Sequence, residues 1–275
     1  MKRKLKIKWS NIIIIFIFII CIITFCISGY NIIKWFIDRH NNNQIVEEIN
    51  DIVTITETED NSSTEIIEQK EEIEKSNPYW DYIKMDLINV DISKLKETNS
   101  QTKGWIKVNG TNINYPFVQA KDNEYYLTHS FDKKYNSAGW VFLDYRNTLK
   151  DDDKNTILYA HGRYDKTMFG SLKNILKSNW YKNKDNHVIK LSTEKENTLW
   201  QVFSVYHIKT TSDYIQTEFS SDEEYQALLD ELINRSAYKF NTTVSSKDKI
   251  LTLSTCYNEK ERVVMHAKLI KKEIR

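Results

Sequence analysis

The stretch Ile250-Leu-Thr-Leu-Ser-Thr-Cys256-Tyr-Asn-Glu-Lys-Glu-Arg262-Val-Val-Met-His266-Ala-Lys-Leu-Ile270 predicts two adjacent strands near the C-terminus. Residues 250–256 alternate in the period-two pattern of a half-buried strand, and Cys256 falls on the face opposite the leucines. After a short polar turn, residues 262–270 alternate between apolar and polar side chains again. The stretch therefore indicates a hairpin that brings the Arg262 guanidinium close to the Cys256 thiol.

Cys256 is one of three cysteines in the chain. The other two, Cys21 and Cys26, lie inside an apolar segment, and neither follows the small residue that a lipoprotein cysteine needs. A free cysteine usually behaves as a small buried hydrophobe. In an oxidising setting outside the membrane, however, a lone thiol has no intramolecular disulfide partner and is a hazard unless it is used. Cys256 is therefore a candidate nucleophile.

The N-terminal segment has the composition of a membrane anchor. Residues 2–8 contain five Lys or Arg, and a charge-free run of 25 residues rich in Ile and Phe follows from Trp9 to Ile33. A helix of that length spans about 37 Å, more than the ~30 Å of a hydrocarbon core. The basic flank predicts a cytoplasmic N-terminus and an extracellular remainder, with residues 1–36 as tail and anchor. A cleaved signal peptide is the alternative, which the long apolar run and the lack of a small-x-small site disfavour.

Charge is distributed unevenly along the chain, although its formal total is +1. Residues 40–77 hold two Lys against eleven Asp or Glu, and they lack Gly and Pro. This composition predicts an acidic, extended or partly helical extracellular spacer over residues 37–77. Residues 78–275 carry a small positive excess without a basic run interleaved with aromatics, so nucleic-acid binding has little support.

Residues 78–275 are predicted to form one catalytic domain that is mainly β with inserted helices. About eight short strand-like runs occur there, which suggests a small β-barrel or sandwich. A short helix is predicted from the spacing of Trp80, Ile83, Leu87 and Ile88. The longest helix of the domain is predicted over Asp222–Asn234, behind a serine-rich start with capping character.

A thiol nucleophile needs a cationic or basic neighbour, a proton carrier and a donor for the oxyanion. His161 is the first candidate for the proton carrier, because it follows a buried strand and precedes Gly162. Arg262 would supply the donor. His266 is a serious rival to His161, since it shares a strand face with Arg262, and the residues alone leave this choice open. The other histidines are His40, His129, His187 and His207.

Thr252-Leu-Ser-Thr-Cys256 with Arg262-Val-Val, and Tyr159-Ala-His161-Gly162 upstream, resemble a class B sortase of Gram-positive bacteria. The resemblance covers roughly residues 80–275. Three further stretches are similar to that class: Gly104-Trp-Ile-Lys-Val, Gln119-Ala-Lys-Asp-Asn-Glu-Tyr-Tyr-Leu127 and Phe142-Leu-Asp-Tyr-Arg146.

The resemblance implies an eight-stranded sortase β-barrel, preceded here by a single transmembrane helix, with the long helix between the sixth and seventh strands. It implies that Cys256 is the nucleophile, His161 the acid/base and Arg262 the group that orients the substrate carbonyl and stabilises the oxyanion. It also places three residues in the substrate groove: Asn123, Leu127 and Ser254. No acidic cluster like the calcium site of class A relatives stands in the sequence, so neither metal nor other cofactor is expected.

The implied activity is that of a membrane-anchored cysteine transpeptidase and thiol protease of the cell surface. It would cleave a C-terminal sorting signal of secreted proteins through a Cys256 thioester and pass the acyl group to an amine of a peptidoglycan precursor. The alternatives are a membrane-tethered cysteine protease that only hydrolyses, a pilus-polymerising sortase that uses a pilin lysine, and a surface receptor without enzymatic activity.

Overall fold

The computed structural model describes residues 9–58, 60–67, 79–256 and 260–275, with the backbone alone at residues 79, 80 and 256. The chain forms two compact units, Met1–Gln44 and Ile45–Arg275. Helix α1, Trp9–Ile52, makes up the described part of the first unit and begins the second.

The first unit presents large apolar side chains to its surroundings from Trp9 to Ile37, as at Ile14, Phe18 and Phe25. In length and composition this helix suffices to cross a membrane, which is consistent with a single-pass anchor. The basic residues on which the predicted orientation rests, residues 2–8, lie outside the described residues. The helix continues past the predicted anchor boundary at residue 36, since no Gly or Pro occurs between residues 36 and 52.

Residues 45–98 lead into the barrel through five short elements: β1 Ile55–Thr58, β2 Thr64–Ile66, α2 Tyr79–Tyr82, β3 Leu87–Val90 and α3 Ser93–Thr98. Strands β1 and β3 pair in antiparallel fashion. The described part of residues 37–77 thus contains a helix end and two strands, where the sequence suggested an extended or partly helical spacer. Residues 68–78 of that predicted spacer lie outside the described residues.

The predicted helix over residues 80–88 is wrong in its second half. Helix α2 ends at Tyr82, and Leu87 and Ile88 belong to β3, where both are fully buried. Adjacent apolar residues that are buried on both sides of a strand mimic the i, i+4 spacing of a helix face. Pairing with strand β1, which lies about thirty residues upstream in the register Ile55↔Val90, favours the strand over the helix.

Eight strands close into a barrel, which confirms the predicted fold class. Their bounds are β4 Thr102–Val108, β5 Asn114–Val118, β6 Phe142–Leu143, β7 Asn155–Tyr159, β8 Val188–Thr193, β9 Glu196–Lys209, β10 Ile250–Cys256 and β11 Glu261–Ile274. Neighbours around the barrel are β10-β7-β6-β5-β4-β8-β9-β11, and β11 pairs with β10 to close the ring. Strand β2 adds to the far end of β11, where Lys271 pairs with Ile66.

Strand β10 is buried on both faces. Leu251 and Leu253 belong to the core inside the barrel, whereas Ile250 belongs to a second cluster on the outer face. Helix α5, Asp222–Asn234, supplies Leu228, Leu229 and Leu232 to that outer cluster. It lies between the sixth and seventh barrel strands with the predicted bounds. The polar residues of the outer face of β10 are therefore covered and not solvated.

The remaining helices are short and connect strands. They are the 3-10 helices Tyr125–Leu127, Gly170–Leu176 and Lys184–Asn186, and helix α4, Ser178–Lys182. Gly110 ends the turn between β4 and β5 with a positive φ of 69°, which suits a residue without a Cβ. A Cβ there would also overlap the amide of Asn186.

Candidate active site

The ends of two parallel strands, β7 and β10, place Cys256 and His161 together. Strand β10 pairs with β7 in the register Ser254↔Tyr159. Continuing that register by two residues brings the backbone of Cys256 beside that of His161. On its other side β10 pairs with β11, in which Cys256 stands opposite Arg262. The sheet thus collects the three predicted catalytic positions at one end of the barrel.

His161 is oriented by one hydrogen bond to the main chain. Its Nε2 lies 2.7 Å from the carbonyl oxygen of Leu127. A carbonyl oxygen only accepts, so Nε2 carries a proton and donates it. Any second proton that the ring takes up therefore binds to Nδ1. Leu127 ends the 3-10 helix Tyr125–Leu127, so this turn fixes the angle of the imidazole.

A cavity of about 610 Å³ opens at this end of the barrel. Five of the six predicted site residues line it: Asn123, Leu127, His161, Ser254 and Arg262. The sixth, Cys256, is described through its backbone alone. The other lining residues are Phe142, Tyr159, Ala160, Thr210, Thr211, Ser212, Tyr214, Ile215 and Thr255.

Two hydrogen bonds tie the β10 residues that line the cavity, Ser254 and Thr255, to neighbouring segments. The hydroxyls of Ser254 and Tyr214 lie 2.9 Å apart, which ties β10 to the loop after β9. Thr255 Oγ1 donates to the carbonyl oxygen of Ala160 at 2.7 Å, which ties β10 to the residue before His161. Both bonds are buried, so they fix the strand that carries Cys256 relative to the end of β7.

A buried carboxylate lies beside the cavity. Asp144 is fully buried and pairs with Arg146, whose Nε and Nη2 donate to Oδ1 and Oδ2 at 2.8 and 2.7 Å. Burial by itself raises the pKa of Asp144, but hydrogen bonds from Arg146, Asn123 and Tyr159 outweigh it and lower that pKa. The same burial, together with the Asp144 charge, raises the pKa of Tyr159. Asp144 is therefore a structural anion and Tyr159 a neutral donor.

His266, the rival of His161, does not line the cavity. It is fully buried, with Nδ1 2.9 Å from Thr252 Oγ1 and Nε2 2.8 Å from Tyr206 Oη. Thr252 Oγ1 gives its own hydrogen to Asn155 Oδ1 at 2.7 Å, so it accepts from His266 Nδ1. Burial lowers the pKa of His266 to about 3, with a smaller contribution from Arg235. A neutral imidazole satisfied on both sides is part of the packing.

Sequence reasoning missed the cavity wall formed by Thr210, Thr211, Ser212, Tyr214 and Ile215. This segment lies between β9 and α5 without regular secondary structure, so neither period two nor period 3.6 marks it. Tyr159 and Phe142 could have been found, because both lie in stretches that resemble the sortase family. Among the described residues no group of three or more His, Cys, Asp or Glu is arranged to hold a metal ion.

Comparison with known proteins identifies close relatives. The sortase domain family matches residues 106–270. Sortase B of Staphylococcus aureus (strain NCTC 8325 / PS 47) is 39% identical over 188 residues, which cover 67% of this chain and 76% of that protein.

Solved structures give the same result for the fold. Sortase B from B. anthracis in complex with AAEK1 matches with a TM-score of 0.67 and 36% identity, over 86% of this chain and 99% of that one. A Staphylococcus aureus sortase B–substrate complex matches with a TM-score of 0.61 and 40% identity, over 66% of this chain and 84% of that one. At 36% and 40% identity, these two proteins are similar to this chain in sequence as well as in fold.

Proposed function

This chain belongs to the class B sortases, which are cysteine transpeptidases, and we propose that Cys256 is its nucleophile, His161 its acid/base and Arg262 its oxyanion donor. One observation carries the assignment. The pairing of β10 with β7 and β11 brings the backbone of Cys256 beside His161 and opposite Arg262, and these two residues line one cavity. The rival histidine, His266, is buried away from that cavity with both ring nitrogens bonded.

The first half-reaction forms a thioester. The Cys256 thiolate attacks the carbonyl carbon of the scissile peptide bond, and the carbonyl electrons move onto oxygen. Arg262 donates to that oxygen and stabilises its negative charge. The C–N bond then breaks as His161 Nδ1 gives its proton to the departing amine. An acyl-enzyme and a neutral imidazole remain.

The second half-reaction transfers the acyl group. An acceptor amine attacks the thioester carbonyl, and the neutral Nδ1 of His161 takes up the proton that this amine loses. Collapse of the tetrahedral intermediate forms the new amide bond and releases the Cys256 thiolate. Each half-reaction leaves the enzyme ready for the other, because the proton given in the first is regained in the second.

The substrate is a C-terminal sorting signal of secreted proteins, cleaved after a Thr. A cavity of about 610 Å³ has room for several peptide side chains. Asn123, Leu127 and Ser254 line it, as the family resemblance implies for a substrate groove. The related Staphylococcus aureus structure is a complex of sortase B with a substrate, which supports substrate binding by this chain.

The acceptor is an amine of a peptidoglycan precursor. To test this, the full chain in detergent micelles is incubated with a library of sorting peptides and examined by mass spectrometry, with Cys256→Ala as control. We expect an adduct with the mass of the acyl fragment, which a wall-peptide amine converts into a transpeptidation product. Absence of an adduct with every peptide would overturn the assignment. Release of free acid alone would favour a protease, and preference for a pilin lysine would favour a pilus-polymerising sortase.

The N-terminal helix anchors the enzyme, with its N-terminus in the cytoplasm and the catalytic unit outside. The five basic residues at positions 2–8 support this orientation through the positive-inside rule. Protease added to intact protoplasts is expected to remove the catalytic unit and to spare an epitope at the N-terminus. Survival of the catalytic unit, with loss of the N-terminal epitope, would reverse the orientation.

A further inference from the structure

The stretch Phe142-Leu-Asp-Tyr-Arg146 resembles the sortase family, yet none of its residues has a part in the chemistry above. It contains the fully buried carboxylate Asp144 and the half-buried guanidinium Arg146. A buried ion pair is seldom worth its desolvation for stability alone. Its contacts therefore indicate what it holds in place.

Asp144 makes hydrogen bonds to two residues that line the cavity, Asn123 on one wall and Tyr159. Its Oδ2 accepts from Asn123 Nδ2 at 3.0 Å and from Tyr159 Oη at 2.9 Å. Asn123 Oδ1 in turn accepts from the backbone N–H of Tyr145 at 3.0 Å. Both Asn123 and Tyr159 line the cavity, so two of its surfaces take their positions from one carboxylate.

A second wall of the cavity, formed by residues 210–212, 214 and 215, is held by side chains from elsewhere in the chain. Asn155 Nδ2 lies 3.4 Å from the carbonyl oxygen of Tyr214 and 2.9 Å from that of Gln216. Arg146 Nη2 donates to the intervening carbonyl oxygen, that of Ile215, at 2.9 Å. Asn155 and Arg146 therefore hold the carbonyl groups of three consecutive residues, and they do so from two separate segments of the chain.

We propose that Arg146 is a positioning residue that sets the separation of the two groove walls, and thereby which substrate side chains the groove admits. A continuous line of hydrogen bonds runs from Ile215 through Arg146 and Asp144 to Asn123. This line crosses from one wall to the other. The proposal rests on the groove function proposed above for the same cavity.

Only a planar fork of donors can complete this line. Arg146 uses Nε and Nη2 on the carboxylate, and Nη2 also reaches Ile215. Lysine carries the same charge as a single ammonium, which can neutralise Asp144 but lacks the geometry to span both partners. The variant Arg146→Lys therefore separates the tie between the walls from the charge balance of the buried pair.

The experiment measures kcat and KM of full-length Arg146→Lys in micelles with a sorting peptide and with peptides bulkier at single positions. We expect KM for the parent peptide to rise about tenfold, the order for loss of a hydrogen bond to a charged donor, with kcat little changed. Discrimination against at least one bulkier peptide should weaken. Alkylation of Cys256 by iodoacetamide should keep its rate, because the thiol is untouched. Amide hydrogen exchange over residues 211–217 should become faster.

Asp213→Asn is the matched control. Arg235 Nη1 and Nη2 donate to Asp213 Oδ1 and Oδ2, both at 2.9 Å, and so hold the same loop from outside the cavity. Asp213 does not line the cavity, and we expect its loss to leave KM and peptide discrimination unchanged. Equal effects of the two variants would overturn the proposal, since general loosening of the loop would then suffice.

Two further outcomes are decisive. A parallel fall of kcat, peptide affinity and alkylation rate in Arg146→Lys would mean global damage. The double variant Asp144→Asn/Arg146→Gln, which removes both charges of the pair, then decides. Restored alkylation with a high KM would support the positioning role, and any other result would overturn it. If the wild-type chain transpeptidates no peptide, the proposed function fails. Hydrogen exchange over residues 211–217 then still tests the tie, and unchanged exchange in Arg146→Lys would refute it.

Discussion

Two regions of the barrel contain a histidine close to β10, and they use it differently. At the open end, His161 donates through Nε2 to Leu127, and no described residue makes a hydrogen bond to its Nδ1. On the outer face beneath α5, His266 is bonded through both nitrogens, to Tyr206 and Thr252. The first imidazole can exchange a proton with a substrate, whereas the second cannot without breaking its packing.

The difference shows what converts a polar strand residue into a structural one. By their alternating strand pattern, Thr252 and His266 would be expected to face solvent. Instead the rings of Phe203, Tyr206 and Tyr214 lie against His266. Helix α5 packs Leu228, Leu229 and Leu232 into the same apolar cluster as these rings. Under such a cover each polar group needs a partner, and the two residues satisfy one another together with Asn155.

The largest difference between the two regions is expected in how replacement of the histidine changes transpeptidation activity. His161→Ala should lower kcat/KM for transpeptidation by about a thousandfold, in the middle of the range for loss of a general acid/base. His266→Gln, the control, should keep most of the activity at pH 7. Steady-state kinetics with a sorting peptide and an amine acceptor measure both. The reverse ranking would move the acid/base role to His266.

Arg262→Lys tests whether the open end needs geometry as well as charge. If Arg262 donates to the oxyanion through its fork, the rate should fall about a hundredfold, the order for one lost oxyanion donor. Alkylation of Cys256 by a small uncharged reagent should change far less, because both side chains carry a positive charge. Near-normal turnover, or an equal loss of alkylation, would leave Arg262 as a charge that tunes the thiol.

Sequence patterns correctly predicted the features that depend on residues close together in the chain. The alternation in residues 250–270 predicted the hairpin that brings Arg262 near Cys256, and the leucine spacing behind a serine-rich start predicted helix α5. The closed eight-stranded ring came from the family resemblance, since periodicity alone left barrel and sandwich open. Leu87 and Ile88 were misassigned because β1, their partner strand, is distant in sequence.

Part of the site could not be predicted, because it depends on tertiary contacts of irregular chain. The wall that contains Tyr214 and Ile215 is held by Asn155 and Arg146, which donate to the carbonyl oxygens of residues 214–216 from other segments. No spacing in the sequence links these residues. The burial of His266 likewise depends on the rings of Phe203, Tyr206 and Tyr214, and a strand pattern taken by itself does not show these contacts.

The buried region should reveal itself in the pH dependence of stability. Burial lowers the pKa of His266 to about 3 in the folded chain, against about 6.5 when unfolded. Above pH 6.5 both states are neutral and this contribution to stability is complete. As the pH falls towards 3 only the unfolded state takes up the proton, so stability falls, with a slope approaching about 1.4 kcal/mol per pH unit.

His266→Gln should remove that slope while leaving other titrations in place. The measurement is urea unfolding of the micelle-bound chain between pH 4 and 7, followed by tryptophan fluorescence. The informative quantity is the difference in slope between wild type and variant. Identical slopes would mean that His266 becomes protonated in the folded chain, and the contrast with His161 would disappear.

The smallest expected effect concerns helix α5, which packs on the outer face of the barrel. Ser221 Oγ accepts from the N–H of Glu224 at 3.2 Å and so caps the first turn of α5. Ser221→Ala should destabilise the catalytic unit by about 1 kcal/mol, the usual cost of losing such a cap. Ser220→Ala is a close control, because Ser220 contacts only the side chain of Glu224 through its hydroxyl. Both variants should keep kcat/KM, since α5 covers the outer face of β10 and contributes no residue to the cavity. Loss of activity in Ser221→Ala at temperatures where the unit stays folded would mean that the two regions are coupled through the loop between β9 and α5, and that the cover helps to hold the groove.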